Sequence, residues 1–296
     1  MLISVLTATL NRVADLKKLY KSLEGQTNKA FEWLIVDDGS TDSTREWVEE
    51  IKKRSSFVIK YIYEDNSGKH IAINKGIRYV SGEVTVLIDS DDIALPTMIE
   101  DLCKEWSYTR LADSKLAMIV FERVNELNQP LKKIPNNGLE GNYNEIRYGQ
   151  GLVGDYAESF KTEILKSYNF PKFGDERFLS EEYLWMEIGK VYNARFVDKG
   201  LYRTVYPVNG LTNNSRKNMW MNPQGIYNTQ KKKVSLQMPL KLKIKSIGVF
   251  LIVGWRLHKN PYQDMRKLKI KILAYLLTIP ALGMYLKYKM RFKNER

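Results

Sequence analysis

Apolar and polar residues follow two recurring patterns along the first 125 residues. Short runs of apolar and β-branched residues, typical of buried strands, occur at 2–7, 32–36, 57–63 and 84–88. Between these runs, apolar residues recur every three or four positions, which is the spacing of one face of a helix. Strands that alternate with helices predict βαβ units, so we expect an α/β, Rossmann-like fold with a mostly parallel sheet flanked by helices.

Beyond residue 95 the same two patterns are less regular. They predict helices at 96–111, 160–168 and 180–192, and strands at 117–124 and 194–206. Residues 125–152 are polar and rich in glycine and asparagine. This composition indicates a loop or an irregular segment.

Charge divides the chain into two unequal parts. The formal net charge is +13, but residues 231–296 hold 17 Lys and Arg and only two acids, which leaves a charge of −2 on the first 230 residues. We therefore expect a globular body at 1–230 and a basic helical appendage at 231–296. Such a basic block predicts an anionic surface as its partner, either lipid headgroups or nucleic acid.

The rarest residues narrow the classes of site. Cys103 is the only cysteine, which excludes a disulfide framework within the chain and fits a reducing compartment. His70 and His258 are the only histidines, so the sequence does not favour a histidine-rich zinc site. No basic residue precedes the first apolar run, which we expect to form a strand rather than a signal peptide.

The fourth apolar run stops abruptly in a cluster of acids, Asp89-Ser90-Asp91-Asp92. Carboxylates crowded at the end of a buried strand repel one another and are costly to desolvate. A divalent cation relieves this repulsion, and hard carboxylate oxygens suit Mg²⁺ or Mn²⁺. The alternative is an acidic turn in which Ser90 or Asp92 caps the following helix.

A second strand also ends in acids, at Asp37-Asp38. The carboxyl ends of parallel strands lie along one edge of a sheet, so both acidic clusters should face one cleft. One carboxylate can then accept hydrogen bonds from a nucleobase or ribose while another holds a metal against a diphosphate. No P-loop or dinucleotide-binding glycine motif follows the first strand. The sequence therefore does not predict the glycine-rich loop with which P-loop and dinucleotide-binding proteins usually hold phosphate.

Four ordered motifs resemble those of family two glycosyltransferases of the GT-A fold: Thr7-Ala-Thr-Leu-Asn-Arg12, Val36-Asp-Asp-Gly-Ser-Thr-Asp42, Gly68-Lys-His-x-Ala-x-Asn-x-Gly76 and Leu87-Ile-Asp-Ser-Asp-Asp92. The resemblance is dense over 1–125. It continues more sparsely through Gly154-Asp155, Phe170-Pro171, Glu181-Glu182 and Gly210-Leu211-Thr212. It implies a nucleotide-sugar half at 1–125 and an acceptor half at 126–230.

The resemblance also implies which residues meet the nucleotide. They are Thr7, Ala8, Asn11, Arg12, Asp38, Lys69, His70 and Asp89. Lys69 and His70 lie where the family commonly closes over the base or the phosphates, and a plain surface loop is the alternative. Asp91 is implied as the main ligand of Mn²⁺ or Mg²⁺, with Asp89 touching the ribose or the metal. Asp92 fits a helix cap as well as a ligand.

The general base is implied at Glu181-Glu182. The family typically has Glu-Asp there, and the second carboxylate deprotonates the acceptor hydroxyl. A glutamate in that place reaches one methylene further, so Glu182 is preferred and Glu181 stays open. Both acids also favour a helix amino terminus without any catalytic role. Asp155 is a candidate for contact with the acceptor.

Two apolar stretches in the basic appendage, 247–255 and 272–286, are bounded by basic residues. Both are shorter than the roughly 20 residues needed to span a bilayer. We expect helices that lie in the membrane interface, with aromatic anchors at Trp255, Tyr275, Tyr285 and Tyr288. Helices packed on protein and a re-entrant hairpin are the alternatives.

These expectations combine into one function. A metal-dependent inverting glycosyltransferase would move a sugar from a nucleotide donor to a glycan or polyprenyl-linked oligosaccharide acceptor, in the synthesis of envelope or capsule polysaccharide. We predict that the donor is a UDP-sugar. Attachment to anionic lipid would place it at the cytoplasmic face of the cell membrane, with no nucleic-acid partner. The rivals are an inactive nucleotide-sugar-binding protein and a nucleic-acid-binding protein that uses the basic tail.

Overall fold

The computed structural model describes residues 1–204, 215–265 and 268–293. Its nine strands are β1 (Ile3–Thr9), β2 (Phe31–Asp37), β3 (Val58–Tyr63), β4 (Val84–Leu87), β5 (Ile93–Ala94), β6 (Leu116–Val124), β7 (Leu139–Asn142), β8 (Tyr156–Lys161) and β9 (Asn193–Arg203). They form one sheet in the order β3-β2-β1-β4-β8-β6-β9-β5, with β7 paired to β9. The expected motif at Gly210-Leu211-Thr212 and the end of the strand expected at 194–206 lie outside the described residues.

Helices surround this sheet and continue beyond it. Those of the first half are α1 (Val13–Glu24), α2 (Thr44–Lys52), α3 (Lys69–Ile77), α4 (Met98–Glu105) and α5 (Tyr108–Ala112). The later ones are α6 (Thr162–Lys166), α7 (Glu182–Ile188), α8 (Ser215–Met221), α9 (Pro223–Ser235), α10 (Leu240–Arg256), α11 (Leu268–Leu276) and α12 (Thr278–Arg291). A π-helical turn occupies Glu145–Gly149.

The first half of the sheet is parallel, as the alternating pattern predicts. Strands β3, β2, β1 and β4 pair in parallel, with Ile3 of β1 opposite Phe31 on one side and Val84 on the other. Both faces of β1 and β2 are covered, because α1 and α2 pack on one core and α3 on the other. This arrangement brings the carboxyl ends of β1, β2 and β4 to one edge, where the polar motifs lie.

The second half of the sheet mixes parallel and antiparallel pairs. β8 pairs antiparallel with β4 and with β6, whereas β6 and β9 are parallel. The helix expected at 160–168 was wrong at its start, because Phe160 and Lys161 belong to β8 and α6 begins at Thr162. The expected irregular segment at 125–152 contains β7 and the π-helical turn. Long-range pairing with β9 orders this polar segment despite its weak local pattern.

The basic appendage starts inside a helix. The boundary expected after residue 230 falls within α9, whose residues on both sides form one continuous helix. α9, α10 and α12 share a separate apolar core that includes Tyr227, Phe250 and Leu251. The appendage therefore contains a packed helical unit.

This packing buries one of the four expected interfacial anchors and partly buries two others. The apolar run of α10 is buried, with Phe250 and Leu251 fully inaccessible, because it covers α9 and α12. Trp255 and Tyr285 pack against that same core, and Tyr288 is only 5% exposed. Tyr275 alone of the four expected anchors projects from the surface, with 61% exposure.

The outer surface of α11 and α12 remains strongly apolar. Its exposed large side chains are Ile272, Tyr275, Leu276, Ile279, Leu282, Met284, Leu286 and Met290. Among the helices that the structure describes, none alone has the length and hydropathy to cross a bilayer. Residues Lys269–Leu276 and Thr278–Arg291 meet that requirement only when taken together, and the two segments are bent by 57°.

Candidate active site

An open cleft with a cavity volume of about 140 Å³ lies beside the carboxyl ends of β1 and β4 and extends to β8 and the start of α7. Its lining residues are Leu6, Ala8, Lys69, Ile73, Leu87, Ile88, Asp89, Arg123, Tyr143, Arg147, Gly154, Asp155, Tyr156, Glu158, Ser180, Glu181, Glu182 and Trp185. Both halves of the sheet therefore contribute to one cleft, which is the usual place for a ligand in open α/β sheets.

Six of the predicted site residues line this cleft: Ala8, Lys69, Asp89, Asp155, Glu181 and Glu182. The other six, Thr7, Asn11, Arg12, Asp38, His70 and Asp91, are not among its lining residues. Motifs separated by more than 170 positions along the chain thus converge, although some members of each motif support the cleft from behind.

Lys69 joins the two halves across the cleft. Its Nζ lies 2.5 Å from Asp89 Oδ1 and 2.6 Å from Glu181 Oε1. Burial alone would lower the pKa of Lys69, but the two carboxylates outweigh burial and raise it. A lysine at the first position of α3 therefore neutralises one carboxylate from β4 and one from the start of α7.

Asp89 lies in a strongly cationic environment. Besides Lys69, Arg123 approaches it, with Nη1 at 3.9 Å from Asp89 Oδ2 and 3.8 Å from Asp92 Oδ2. Burial by itself would raise the pKa of Asp89, but the charges of Lys69 and Arg123 lower it to about 2. Asp89 is therefore ionised throughout the physiological pH range, as a metal ligand must be.

Asp91 and Arg12 form a direct ion pair that links the end of β1 to the acidic turn after β4. Within the described residues, no group of three His, Cys, Asp or Glu side chains could hold a metal ion. Asp89 and Asp91 nevertheless supply the donor type that Mg²⁺ and Mn²⁺ favour. Such ions often use only one or two carboxylates and complete their shell with phosphate oxygens and water. The residues present therefore fit a metal bound together with a diphosphate.

Asp38 organises the loop that leads to Lys69. Its carboxylate accepts hydrogen bonds from the backbone amides of Ser67, at 2.7 Å, and Gly68, at 3.0 Å. Burial raises the pKa of Asp38, and the two amide bonds oppose that rise. In this structure the carboxylate expected to meet the base or ribose thus serves as an anchor for the start of α3.

Asn11 connects the first two motifs. It adopts a left-handed conformation with φ of 53°, and its Oδ1 accepts a hydrogen bond from the Thr41 amide at 2.7 Å. The first turn of α1 is completed by Asp42, whose Oδ2 accepts a hydrogen bond from the Val13 amide at 3.1 Å. Asn11 therefore fixes the two loops against each other at the edge of the sheet.

Thr7 and His70 both point into protein. Thr7 is fully buried, and its hydroxyl accepts a hydrogen bond from Trp33 Nε1 at 3.1 Å. His70 is 2% exposed and lies edge-on to Phe170, with ring centroids 6.3 Å apart. The surface-loop alternative for His70 is wrong because α3 turns this ring into the core.

The two glutamates at the start of α7 have different partners. Glu181 precedes the helix and pairs with Lys69 on the β4 side of the cleft. Glu182 is the first helical residue, and its Oε2 lies 2.7 Å from Lys233 Nζ of α9. Burial would raise the pKa of Glu182, but the charge and hydrogen bond of Lys233 outweigh burial and lower it. Glu182 is thus ionised and faces the second half of the cleft.

A family model described as Glycosyl transferase family 2 matches residues 4–169. This match covers more than half of the chain and includes the donor-side motifs. The chain belongs to glycosyl transferase family 2.

The matches to individual relatives cover only part of each relative's length. An uncharacterized glycosyltransferase of Nostoc is 34% identical over 100 residues, which are 34% of this chain and 31% of the relative. The GalNAc(5)-diNAcBac-PP-undecaprenol beta-1,3-glucosyltransferase of Campylobacter jejuni is 28% identical over 196 residues, which are 64% of this chain and 60% of the relative. The chain therefore spans less than two thirds of either relative.

Solved structures of glycosyltransferases share the fold. TarS of S. aureus in complex with UDP superposes with a TM-score of 0.61 at 18% identity, covering 100% of this chain and 92% of that one. The mannosyltransferase PcManGT of Pyrobaculum calidifontis, in complex with GDP-Man and Mn²⁺, has a TM-score of 0.55 at 17% identity, covering 99% and 81%. The α/β structure of this family-two chain is therefore the GT-A fold.

The motifs of the family did not identify three charged residues of the cleft: Arg123, Arg147 and Glu158. Burial raises the pKa of Glu158 to about 7, and the two arginines oppose that rise. Arg147 is 6% exposed and sits over the Tyr156 ring, 4.8 Å from its centroid. Glu158 lies between the segment expected to be irregular, 125–152, and the helix expected at 160–168, in a stretch whose local pattern predicts no strand, whereas the structure places it on β8.

Proposed function

We propose that this chain is an inverting glycosyltransferase that moves a sugar from a UDP-sugar to a lipid-linked glycan acceptor in envelope polysaccharide synthesis. The proposal rests on one observation: Asp89 at the end of β4 and Glu182 at the start of α7 line the same cleft. The UDP complex of TarS and the undecaprenol-linked acceptor in the name of the Campylobacter relative support the two substrate classes.

The donor would bind on the side formed by β1, β4 and α3. Asp89 and Asp91 would hold Mn²⁺ or Mg²⁺. When the cation enters, it would replace or share the ion pairs that Asp89 makes with Lys69 and Asp91 makes with Arg12. A bound divalent cation neutralises the charge that builds on a leaving diphosphate. Lys69 and Arg123 add fixed positive charge at the same place, where it attracts the diphosphate and holds it in a defined position.

The acceptor would enter from the side formed by β8, the π-helical turn and α7. Glu182 would take the proton from the acceptor hydroxyl as its oxygen bonds to the anomeric carbon and the bond to the diphosphate breaks. A single displacement of this kind inverts the anomeric configuration. Asp155, which is exposed at the rim of the cleft, is placed to contact the acceptor.

Ligand-dependent stability tests the donor site. Thermal unfolding of the full chain should be followed with UDP, GDP, CDP and ADP, each with and without Mn²⁺. A ligand present at 100 times its dissociation constant stabilises the folded state by about 2.7 kcal/mol. We expect UDP with Mn²⁺ to give the largest increase in Tm and Asp91→Asn to abolish the contribution of the metal.

The control is Asp15→Asn, which alters an exposed i,i+3 ion pair with Lys18 but changes no residue of the cleft lining. This variant should respond to UDP and Mn²⁺ as the wild type does. If a folded wild-type sample is stabilised by none of the four nucleotides, the transferase proposal is wrong. Equal stabilisation of Asp91→Asn by Mn²⁺ would refute the proposed metal ligand.

We further propose that the outer surface of α11 and α12 attaches the enzyme to anionic lipid at the cytoplasmic face of the membrane. Residues 268–293 contain no acid, and Lys269, Lys271, Lys287, Lys289 and Arg291 flank the exposed apolar side chains. The opposite side of this helix pair is occupied, because Ala274 and Ala281 are buried in the core of the appendage. An apolar surface bordered by cations matches the interface of an anionic membrane.

Vesicle sedimentation separates lipid binding from nucleic-acid binding. Wild-type protein should sediment with phosphatidylglycerol vesicles and much less with phosphatidylcholine vesicles. Ile279→Asp, at a side chain 83% exposed on α12, should weaken this binding, whereas Leu127→Asp, at a side chain 77% exposed on the body, should not. Salt-sensitive binding to RNA without binding to vesicles would refute the membrane proposal.

A further inference from the structure

Helix α9 of the basic appendage packs directly against α7, the helix that begins with the candidate base. Two adjacent lysines of α9 make this contact with different acids of α7. Lys232 pairs with Glu187 near the end of α7, and Lys233 pairs with Glu182 at its beginning. Of these two acids, only Glu182 lines the cleft.

The pair between Lys233 and Glu182 is well enclosed. The two side chains retain 21% and 31% exposure, and Lys233 Nζ lies 2.7 Å from Glu182 Oε2. Lys233 Nζ also lies 5.5 Å from the centroid of the Tyr148 ring, which follows the cleft-lining Arg147 in the π-helical turn. The lysine is therefore held between the candidate base and an aromatic side chain of the π-helical turn.

Other charged and titratable groups face Glu182 from every neighbouring element. Arg147 and Tyr148 come from the π-helical turn, Tyr143 precedes that turn, and Lys245 comes from α10. Arg147 and Lys245 act in the same direction as Lys233, but only Lys233 adds a hydrogen bond to the carboxylate. Lys233 is thus the partner that both neutralises Glu182 and fixes its orientation.

We infer that Lys233 is a positioning residue for the transfer reaction, which keeps Glu182 ionised and aimed into the cleft. This inference rests on the proposed role of Glu182 as base. It assigns the basic appendage a part in catalysis that is separate from membrane attachment, because α9 lies on the side of the appendage that faces the body. A base must be unprotonated before it can accept the acceptor proton, and the lysine preserves that state against burial.

The neighbouring lysine offers a matched control. Lys232 lies on the same helix, pairs with an acid of the same α7 and stands 4.0 Å over the Tyr183 ring. Lys232→Met therefore removes one charge and one contact between α9 and α7 without touching the cleft. Any loss that Lys233→Met and Lys232→Met share reflects packing of α9, whereas a loss confined to Lys233→Met reflects the base.

Carboxyl titration tests the inference without a known acceptor. The full chain is labelled with ¹³C at the glutamate side-chain carboxyl, and the Glu182 resonance is identified by its absence in Glu182→Gln. We expect Lys233→Met to move the titration midpoint of Glu182 upward by about one pH unit or more. Lys232→Met should leave it unchanged, and Lys233→Arg should restore most of the wild-type position.

Turnover supplies the second readout, with UDP release measured from UDP-glucose and UDP-N-acetylglucosamine. The acidic limb of the kcat/KM profile should shift upward in Lys233→Met, so that the deficit is larger at pH 6 than at pH 9. An unchanged Glu182 titration in a folded Lys233→Met protein would overturn the inference. Wild-type turnover by Glu182→Gln would instead overturn the proposed base, so the two failures are distinguishable.

Discussion

The two halves of the sheet are built in different ways, and the difference determines where chemistry can be placed. In the first half, β1 to β4 follow one another through short helices and pair in parallel, so their carboxyl ends meet at one edge. In the second half, strands pair out of chain order, and β8 joins the two halves by pairing antiparallel with β4. The candidate base is supplied by a helix of that second half.

Charge is balanced differently in the two halves. On the donor side, Asp91 pairs with Arg12 and Asp89 with Lys69, and all four residues belong to the family motifs. On the acceptor side, Glu182 pairs with Lys233, which lies outside the segment that matches the family model. The donor side is therefore largely self-contained, whereas the acceptor side depends on the appendage.

Replacing the Glu182 carboxylate should distinguish the roles of the donor side and the acceptor side most clearly. Glu182→Gln keeps the shape of the side chain but cannot accept a proton, and general-base catalysis contributes about 10²–10⁴-fold. We expect turnover to fall by that factor while UDP affinity, which depends on the donor side, stays within about twofold of wild type. Steady-state UDP release and calorimetric titration with UDP measure the two quantities.

Glu187→Gln provides the control for this change. Glu187 pairs with Lys232 and Lys190 on the far part of α7 and does not line the cleft. Its variant should keep turnover close to that of the wild type. Comparable losses in both variants would mean that the charge of α7 acts structurally, and a large loss of UDP affinity in Glu182→Gln would refute the division between the two sides.

The junction between the halves should be the next most sensitive place. Gly68 has φ of 99°, and a Cβ there would lie 2.3 Å from the carbonyl oxygen of Arg177, a residue of the second half. We expect Gly68→Ala to lower the free energy of unfolding by about 2–4 kcal/mol, since both the backbone and the neighbouring chain must shift. Urea denaturation measures the change.

Gly248 is a matched position with the opposite expectation. It lies within α10, and a Cβ there would meet no atom of the described residues within 4 Å. Gly248→Ala should therefore stabilise the protein by about 0.5–1 kcal/mol, because alanine has the higher helix propensity. A Gly68→Ala protein as stable as the wild type would show that this junction is looser than the close approach to Arg177 indicates.

The same difference explains how much the sequence predicts. In the first half, local periodicity alone locates the strands, and Asp37, Asp38 and Asp89 fall at strand ends as expected. In the second half, Tyr156–Lys161 becomes a strand only because β4 and β6 lie on either side of it. No local pattern contains that information.

The site shows the same limit at the level of side chains. The family motifs place Lys69, Asp89 and Glu182 at one cleft, and the structure brings all three to its lining. They do not predict that Asp38 binds backbone amides, or that Lys233 reaches Glu182 from another helix. Partners chosen by packing across the chain are invisible to motifs.

A substitution at Lys69 sharpens the electrostatic contrast. Lys69→Met leaves Asp89 and Glu181 without their shared cation, and both carboxylates are about one third exposed. We expect a loss of about 1–2 kcal/mol in the free energy of unfolding without metal, which is smaller than for a fully buried pair. Mn²⁺ should restore more stability to this variant than to the wild type, because it supplies the missing positive charge at Asp89.

Urea denaturation with and without Mn²⁺ measures this effect. Lys18→Met is the control, since its ion pair with Asp15 is exposed and neither residue lines the cleft. Its unfolding should respond to Mn²⁺ as that of the wild type does. If Mn²⁺ restores no stability to Lys69→Met, the metal does not bind at Asp89 in the proposed way.

The smallest effect should come from His70, on the border between the halves. Burial lowers the pKa of this side chain from its ordinary value of 6.5, and the nearby charge of Glu181 only partly opposes the shift. The folded protein therefore resists protonation of His70, while the unfolded chain takes up the proton as the pH falls through about 6.5. His70 thus contributes stability that is present above this pH and is lost below it.

Replacing His70 should weaken this pH dependence. We expect the free energy of unfolding of the wild type to fall more steeply between pH 7 and pH 5 than that of His70→Gln, as measured by urea denaturation at each pH. His258→Gln, at an exposed histidine of the appendage, is the control. Equal slopes for wild type and His70→Gln would mean that the ring is solvated in the folded state. That result would favour the interpretation of His70 as a residue of the segment that closes over the donor.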